Sequence, residues 1–265
     1  KGEIEEKCLP NMSVFAAYNQ VNTKIKEMEE AMDWISKGHQ NPINEKIKLF
    51  EYAEEKLLED SELKQKVVNE LRNGDFNIVD IKTEVEEKPM PEGFIENLIS
   101  LNPNITEEQK EKLKKVNTIR ATKTEFAHKV IDDKGQESNY FLPRGLESQG
   151  TIRMFGIATV LKTITKKDSF ITIDEIESSM HPRLVEYIIT EFLNEESNSQ
   201  LLVTTHYDGL LEEKDLIITD VIWFTSKKDN GATDLYPLSD FRGLSRISSL
   251  RKAYRVNSFG AQPNI

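Results

Sequence analysis

Apolar residues recur at helical spacing through the first part of the chain. Residues 24–35 (KIKEMEEAMDWI) and 43–58 carry this spacing, and residues 61–71 continue it. Residues 77–86 (NIVDIKTEVE) alternate between apolar and polar instead, which predicts a short strand. We therefore expect residues 1–116 to form a mostly helical segment.

Two local signals predict where helices begin in this segment. Pro91 can open a helix over residues 92–99, because proline is tolerated in a first turn. Thr106 and Gln109 fit a capping box, in which each side chain binds the other residue's backbone amide. The segment is acidic, rich in lysine and without a glycine-rich loop, which is typical of solvated helices. We interpret it as a helical insertion or lid.

The second part of the chain, from residue 117, contains two predicted β-hairpins. In each, two β-forming runs flank a turn, which reads D-D-K-G in the first hairpin and D-N-G in the second. The runs are residues 118–130 with 139–142, and residues 221–225 with 233–238.

Between the hairpins, the pattern alternates between helix and short buried strand. Residues 148–164 and 182–193 have helical spacing, and residues 169–173 and 200–204 are short apolar runs. This order predicts a parallel sheet covered by helices. We therefore predict an α/β fold, with residues 117–265 as one domain.

Composition narrows the class of protein. The chain has 265 residues, of which 37% are hydrophobic and 31% charged, and no apolar run approaches the roughly 20 residues that span a bilayer. Cys8 is the single cysteine and cannot form an internal disulfide, so we expect a cytoplasmic protein. The four histidines are too scattered for a zinc site.

The net charge of -11 excludes a uniformly basic surface for nucleic acid. It is compatible with a magnesium–nucleotide site, where the metal supplies positive charge. The tail is nevertheless locally basic, which indicates either a solvated helix face or a contact with nucleic acid or an acidic partner. The basic residues are Arg242, Arg246, Arg251, Lys252 and Arg255.

Three sites along the second part carry candidate chemistry. An apolar strand ends in Asp174 and Glu175, which suit a magnesium ligand and a group that orients an attacking water. A second apolar strand ends near His206, which can hydrogen-bond a terminal phosphate. Ser148 is a natural N-cap, and Gly150 lets a phosphate approach the backbone of the helix that follows.

The order of these sites adds a family resemblance. ESQGT resembles the signature motif of an ABC ATPase head, ITIDE its Walker B strand and TTH its switch-histidine strand. The spacing from Asp174 to His181 and Pro182 resembles a D-loop region. With the later runs IWF, GATDLY and LSDF, the set is similar to the AAA/ABC-type ATPases of bacterial abortive-infection and other anti-phage systems.

One element of such a head is missing from the sequence. No G-x-x-x-x-G-K-[ST] loop occurs, so nothing in the chain cradles the α- and β-phosphates of a nucleotide. Glu147 and Gln149 also replace the usual residues of the transporter signature. We expect the chain to be the C-terminal part of the head, with the loop on an N-terminal lobe outside this sequence.

The resemblance implies a role for each site residue. Asp174 would hold magnesium, and Glu175 and His206 would be catalytic. Ser148 and Gly150 would bind ATP held by the opposite head of a dimer, with His181 in the D-loop region. The head would gate a separate effector, often a nuclease.

Two other hypotheses stay open. The first is an ATPase head of DNA repair or chromosome organisation, although the interrupted helices of the first part lack the sustained heptads of a coiled coil. The second is a scaffold that binds nucleotide without hydrolysing it.

Overall fold

The structure is a computed structural model that describes residues 2–38, 40–44, 47–102, 105–114, 116 and 118–262. Its α-helices are α1 (Gly2–Lys7), α2 (Val14–Tyr18), α3 (Lys26–Asp33), α4 (Leu49–Glu59), α5 (Ser61–Asn73), α6 (Phe94–Leu101), α7 (Glu107–Lys114), α8 (Gln149–Ile164), α9 (Pro182–Asn194) and α10 (Leu250–Arg255). Its strands are β1 (Ile78–Pro89), β2 (Thr118–Ile131), β3 (Glu137–Pro143), β4 (Phe170–Ile173), β5 (Gln200–Val203), β6 (Trp223–Lys227) and β7 (Thr233–Pro237). A π-helix follows α3, and short 3-10 helices occupy Arg144–Leu146, Asp208–Glu212, Thr219–Val221, Leu238–Asp240 and Leu244–Arg246. The fold is mixed α/β, as predicted.

The predicted helix over residues 43–58 is wrong at its start. Ile43 forms a parallel bridge with Ile173 instead of a helical turn. Its amide donates to the carbonyl of Thr172 at 2.8 Å, and its carbonyl accepts from the amide of Asp174 at 2.7 Å. The helical spacing was misleading because this pairing with β4 outweighs the local pattern.

Of the two predicted helix starts, the one at Thr106 is confirmed and the one at Pro91 is displaced along the chain. The capping box is confirmed, because the amide of Thr106 donates to Gln109 Oε1 at 2.9 Å and the amide of Gln109 to Thr106 Oγ1 at 3.3 Å. Pro91 does not open its helix directly, since α6 begins only after Gly93, whose φ is +74°.

The chain divides into two compact units. Unit 1 consists of residues 1–47 and 163–265, and unit 2 of residues 48–162. The predicted boundary near residue 116 falls inside unit 2, and the division into a helical domain and an ATPase lobe stays a prediction.

Unit 2 contains an antiparallel sheet in the order β1-β2-β3. The predicted strand over residues 77–86 is confirmed and is longer than expected, since β1 pairs with β2 from Ile78 to Pro89. Three buried aromatic rings, those of Phe50, Phe126 and Phe155, pack together with centroids 5.2 to 6.3 Å apart. The apolar face of the sheet therefore anchors the core of this unit.

Two contacts fix α8 within unit 2. Gly156 lies against α4 so closely that an added Cβ would be 2.5 Å from Leu49 Cβ. Lys162 Nζ forms an ion pair with Glu70 Oε1 of α5 at 2.7 Å, and both side chains are about nine-tenths buried. Both contacts leave α8 little freedom to shift along α4 and α5.

Unit 1 contains the predicted parallel pair. Strand β4 pairs with β5 in register from Phe170↔Gln200 to Ile173↔Val203, and α9 connects them. The strands are parallel because the helical crossover returns the chain to the same end of the sheet. The carboxyl ends of both strands therefore lie at one edge, where open α/β sheets bind ligands.

The second hairpin, β6 with β7, also belongs to unit 1 and is confirmed. Its D-N-G turn places Gly231 at a φ of +84°, a conformation that favours glycine. Phe224 of β6 stacks on the rings of Tyr254 and Phe259 at 5.6 and 5.4 Å. Within the described residues, no helix has the length and apolar character needed to cross a membrane.

Candidate functional site

Thr204 connects the two predicted acidic residues at the carboxyl edge of the parallel strands. Its hydroxyl donates to Asp174 Oδ1 at 2.5 Å and accepts from the amide of Glu175 at 2.9 Å. The backbone amide of Thr204 donates to the carbonyl of Ile173 at 3.0 Å, which extends the strand pairing to this point. One hydroxyl thus orients the Asp174 carboxylate and the backbone that carries Glu175.

The backbone of Glu175 adopts a conformation that few side chains tolerate. Its φ is +46°, in the left-handed region where residues other than glycine are strained. The turn continues with a hydrogen bond from the amide of Ser178 to the carbonyl of Glu175 at 2.9 Å. Asp174 and Glu175 are both exposed, so solvent or a ligand reaches their carboxylates.

Glu177 positions the backbone of His206. Its Oε1 accepts from the His206 amide at 2.6 Å. Its Oε2 is buried and has no hydrogen-bond partner among the described residues. The loop after β4 is therefore tied to the loop after β5, with the side chain of His206 exposed at the same edge as Asp174.

His181 serves as the N-cap of α9. Its Nδ1 accepts from the amide of Arg183 at 3.2 Å, and Pro182 occupies the first helical position. A histidine whose Nδ1 accepts carries no proton there. The structure therefore gives His181 a capping contact and exposes its ring at the start of α9.

Ser148 and Gly150 belong to unit 2, whereas the residues after β4 and β5 belong to unit 1. Ser148 is the predicted N-cap, because its Oγ accepts from the amide of Thr151 at 3.0 Å. The preceding residue, Glu147, is held by His128 of β2, with Nε2 and Oε1 2.7 Å apart and the Glu147 side chain only 4% exposed. This buried contact fixes the start of α8.

Two of the basic tail residues have an acidic partner within unit 1. Arg251 Nε and Arg255 Nε donate to Asp208 at 2.8 and 2.5 Å. The hydrogen bond from Arg255, supported by Arg251, holds the pKa of Asp208 below its ordinary value. Helix α10 is thus attached to the segment that follows His206.

The residue between His206 and Asp208 is tied to α9. The hydroxyl of Tyr207 donates to Glu186 Oε1 at 2.5 Å. This hydrogen bond, with burial, raises the pKa of Tyr207 to about 12. Since Tyr207 stays protonated at neutral pH, the contact persists as a hydrogen bond and fixes the loop after β5.

The residues at this edge fit a magnesium ion that is bound together with a nucleotide. Within the described part of the chain, no three His, Cys, Asp or Glu side chains form a cluster, so an all-protein metal cage is not indicated there. Magnesium more often uses one or two carboxylates with substrate phosphates and water. The exposed carboxylate of Asp174, oriented by Thr204, matches that donor set.

Comparison with protein families shows which family this chain belongs to. Residues 37–212 match the family described as "AAA domain, putative AbiEii toxin, Type IV TA system". The chain belongs to this AAA family. The match covers more than half of the chain and includes every residue proposed above for the site, from Ser148 to His206. Among curated proteins, none matches the chain.

Membership of the AAA family identifies an ATPase of the AAA/ABC kind. Nucleotide binding is supported by the family, and the family's description refers to a putative AbiEii toxin and to a type IV toxin–antitoxin system. The basic tail, residues 242–255, lies beyond the matched residues.

Two residues of this site had no role in the sequence prediction. Thr204 belongs to the TTH run and Glu177 to the D-loop region, so both residues lie within motifs that the sequence analysis identified. Their contacts to Asp174 and His206 depend on the register of β4 with β5, which the sequence pattern does not provide.

Proposed function

We propose that this chain forms the nucleotide-sensing part of an ATP-hydrolysing head, which gates a separate anti-phage effector. The observation that carries the proposal is the bonding of Thr204 to both Asp174 and the Glu175 backbone at the carboxyl edge of β4 and β5. Membership of the AAA family supports ATP as the ligand. The single cysteine supports a cytoplasmic site of action.

Each residue at the edge has a proposed part in hydrolysis. Asp174 would hold magnesium, which neutralises charge on the phosphates when it is bound. Glu175 would orient the attacking water and accept its proton. His206 would hydrogen-bond a terminal phosphate oxygen, with its backbone held by Glu177.

The phosphate-gripping loop would come from a polypeptide segment other than these 265 residues. The sequence contains no G-x-x-x-x-G-K-[ST], and an ATPase needs backbone amides and a lysine at the phosphates. In this proposal residues 117–265 are the C-terminal lobe of the head and residues 1–116 a helical insertion.

Two heads would close around ATP. Ser148 and Gly150 at the start of α8 would contact the phosphate held by the opposite head, where helix amides attract anions. The exposed His181 would lie at the interface that the D-loop region forms. ATP would favour the closed dimer because it binds that state better than the open one.

The head would control an effector protein on a separate chain. A nuclease is our first candidate for this effector. The exposed Arg242 and Arg246 in the tail offer a surface for nucleic acid or for an acidic partner. Arg251 and Arg255 are partly neutralised by Asp208, which concentrates this proposed contact on Arg242, Arg246 and the exposed Lys252.

The test is ATP turnover by the complete native assembly beside the same assembly with Glu175→Gln. We expect turnover to fall by about 10²- to 10⁴-fold, since a positioned general base contributes about that much. Nucleotide should remain bound, because the substitution keeps the size of the side chain and one acceptor oxygen while it removes the basic carboxylate. The matched control is Glu196→Gln, an exposed carboxylate in the connection between α9 and β5.

The outcomes separate the hypotheses. Unchanged turnover with Glu175→Gln would rule out its catalytic role. Absence of turnover in both assemblies would favour a scaffold that binds nucleotide without hydrolysing it. Loss of turnover in the Glu196→Gln control would mean that the assay reports folding instead of chemistry.

A further inference from the structure

Two neighbouring side chains before α8 reverse the usual partition between core and surface. Leu146 is 69% exposed, whereas the side chain of Glu147 is 4% exposed. Apolar side chains are normally the buried ones, and a glutamate is almost never fully buried unless it has a partner. Burial of a carboxylate opposes folding, so a local reversal of this kind is typical of a functional site.

The partner of Glu147 is held rigidly within unit 2. His128 Nε2 and Glu147 Oε1 are 2.7 Å apart. An ionised carboxylate only accepts hydrogen bonds, so the imidazole N–H donates. His128 belongs to β2, the central strand of its sheet, and pairs with Ile78 of β1 and with Tyr140 of β3. Pairing on both sides fixes the backbone that carries the ring, so the ring holds the carboxylate at a defined place.

The start of α8 has backbone amides that this carboxylate would otherwise bind. Ser148 Oγ accepts from the amide of Thr151. The amides of Gln149 and Gly150, at the first two positions of the helix, have no acceptor within the helix. Glu147 directly precedes the cap, so these amides belong to residues two and three positions after it. The positive end of a helix dipole attracts carboxylates as well as phosphates.

We propose that His128 is a positioning residue, which holds the Glu147 carboxylate inside unit 2 and so leaves the start of α8 open to a phosphate. This inference rests on the proposed function, in which Ser148 and Gly150 contact the terminal phosphate held by the opposite head. A released carboxylate would bind the helix amides itself and would repel the phosphate, since both groups are anionic. His128 therefore acts through Glu147 and not on the nucleotide.

A plain anchoring role for the same contact makes a different prediction. If the contact only fixes the path of the chain, loss of the hydrogen bond matters and the charge at residue 147 does not. If the contact withdraws a charge from the helix start, a neutral side chain at residue 147 needs no partner. The two roles are therefore separated when the hydrogen bond and the charge are removed independently.

The first experiment compares Glu147→Asp with Glu147→Asn in the native assembly. Both side chains are one methylene shorter than glutamate and lose their reach to His128 Nε2, but only aspartate is charged. Sedimentation gives the concentration of a non-hydrolysable ATP analogue at half-maximal dimerisation. We expect Glu147→Asp to need at least about 10-fold more analogue than Glu147→Asn, because like charges at an interface oppose association. Binding of the Mg–analogue to dilute, monomeric heads should be the same for both variants.

The second experiment tests His128 itself. His128→Phe keeps a ring in the sheet and removes the donor, so it should raise the half-maximal concentration by about the same factor as Glu147→Asp does. The double variant His128→Phe with Glu147→Gln removes the charge as well, and it should return to within about threefold of the wild type. The conservative variant His128→Gln retains an N–H donor and should behave as the wild type does.

Two outcomes would overturn the inference in favour of a plain anchor. One is an equal half-maximal concentration for Glu147→Asp and Glu147→Asn, and the other is a double variant as defective as His128→Phe. If His128→Phe does not fold, the comparison of aspartate with asparagine decides alone, since it leaves β2 intact.

The wild-type assembly separates this inference from the proposed function. A wild-type assembly that does not dimerise with the analogue would overturn the proposed contact in trans, and this inference with it. Dimerisation of the wild type, with equal behaviour of the aspartate and asparagine variants, would overturn this inference alone.

Discussion

At the scale of single residues, the site depends on one threonine. Thr204 is the only side chain that the described hydrogen bonds place on both Asp174 and the backbone of Glu175. Groups that orient a metal ligand without touching the metal commonly change affinity or activity by 10- to 100-fold when they are removed. In the proposed site, Thr204 would therefore be a positioning residue, distinct from the proposed catalytic Glu175.

Thr204→Val should lower ATP turnover of the native assembly by roughly 10-fold and raise the magnesium concentration needed for half-maximal rate. Valine has nearly the same shape but cannot bond Asp174 or the Glu175 amide. Magnesium titrations of turnover check this, with Thr204→Ser as the control that keeps the hydroxyl. Equal magnesium dependence in all three assemblies would contradict a positioning role.

Residue types at the site were predictable, but their partners were not. The run of apolar residues before Asp174 and Glu175 indicates a buried strand with acids at its end. Which hydroxyl or carboxylate contacts them depends on strand register, and Thr204 is 30 residues away from Asp174 along the chain. The periodicity of apolar residues along a short segment carries no information about contacts between residues that are far apart in the chain.

At the scale of elements, α10 is attached to the segment after β5. Asp208 accepts from both Arg251 and Arg255, and Glu212 accepts from the Ser249 hydroxyl and the Arg251 amide. The pKa of Glu212 is lowered, chiefly by the Ser249 hydrogen bond. These contacts connect the loop that carries His206 to the C-terminal helix.

Asp208→Asn should reduce the free energy of unfolding at pH 7 by roughly 1 kcal/mol, as for a partly exposed ion pair. The folded pKa of Asp208 is lowered, so its contribution is complete above the unfolded value of about 3.9 and is lost as pH falls toward the folded pKa. Denaturant unfolding at pH 7 and pH 3 measures this. The difference between the variant and the wild type should shrink at pH 3.

The control for this comparison is Asp215→Asn, which removes an exposed carboxylate nearby. We expect Asp215→Asn to reduce the free energy of unfolding at pH 7 by less than half as much as Asp208→Asn does. A difference for Asp208→Asn that stays constant from pH 7 to pH 3 would show that the carboxylate charge is not what holds α10.

Gly156→Ala tests the contact of α8 with α4. The new Cβ would be 2.5 Å from Leu49 Cβ, so the helices must separate, which typically costs about 1–3 kcal/mol. This cost exceeds the roughly 1 kcal/mol by which alanine stabilises a helix interior relative to glycine. Thermal unfolding should give a lower midpoint than Gly145→Ala, where an added Cβ meets nothing within 4 Å. Equal midpoints would mean that the helices adapt freely.

Elements with strong local signals were predicted well. Strands β4 and β5, helix α9 and both hairpins have short apolar runs or clear turn residues, and the structure confirms them. The segment around Ile43 was predicted wrongly because its conformation is set by pairing with β4. The last three residues of β1, from Glu87 to Pro89, were also missed, since they are not apolar–polar alternating and are held by pairing with β2.

At the scale of the whole molecule, the motif residues are distributed over two compact units. Ser148 and Gly150 belong to unit 2, and Asp174, Glu175 and His206 to unit 1. If two heads close around ATP, each chain contributes both surfaces, one to its own nucleotide and one to that of its partner.

Ser148→Arg should abolish ATP-dependent dimerisation of the native head while it preserves binding of Mg–ATP. A long cation at the exposed start of α8 would block the approach of the opposite head, and the acidic residues of unit 1 would be unaffected. Sedimentation with and without ATP measures this, with Ser148→Thr as the variant that keeps the cap. An equal dimer fraction for Ser148→Arg would contradict the role in trans.

The left-handed backbone of Glu175 sets stability against function. A side chain at a φ of +46° costs of order 1 kcal/mol or more, and glycine at that position would recover it. Directed evolution for heat resistance alone would therefore favour loss of the proposed catalytic carboxylate. If Glu175 has its proposed role, a library made to improve this protein needs a screen for turnover from its first round, because selection for heat resistance and selection for activity would favour different residues at this one position.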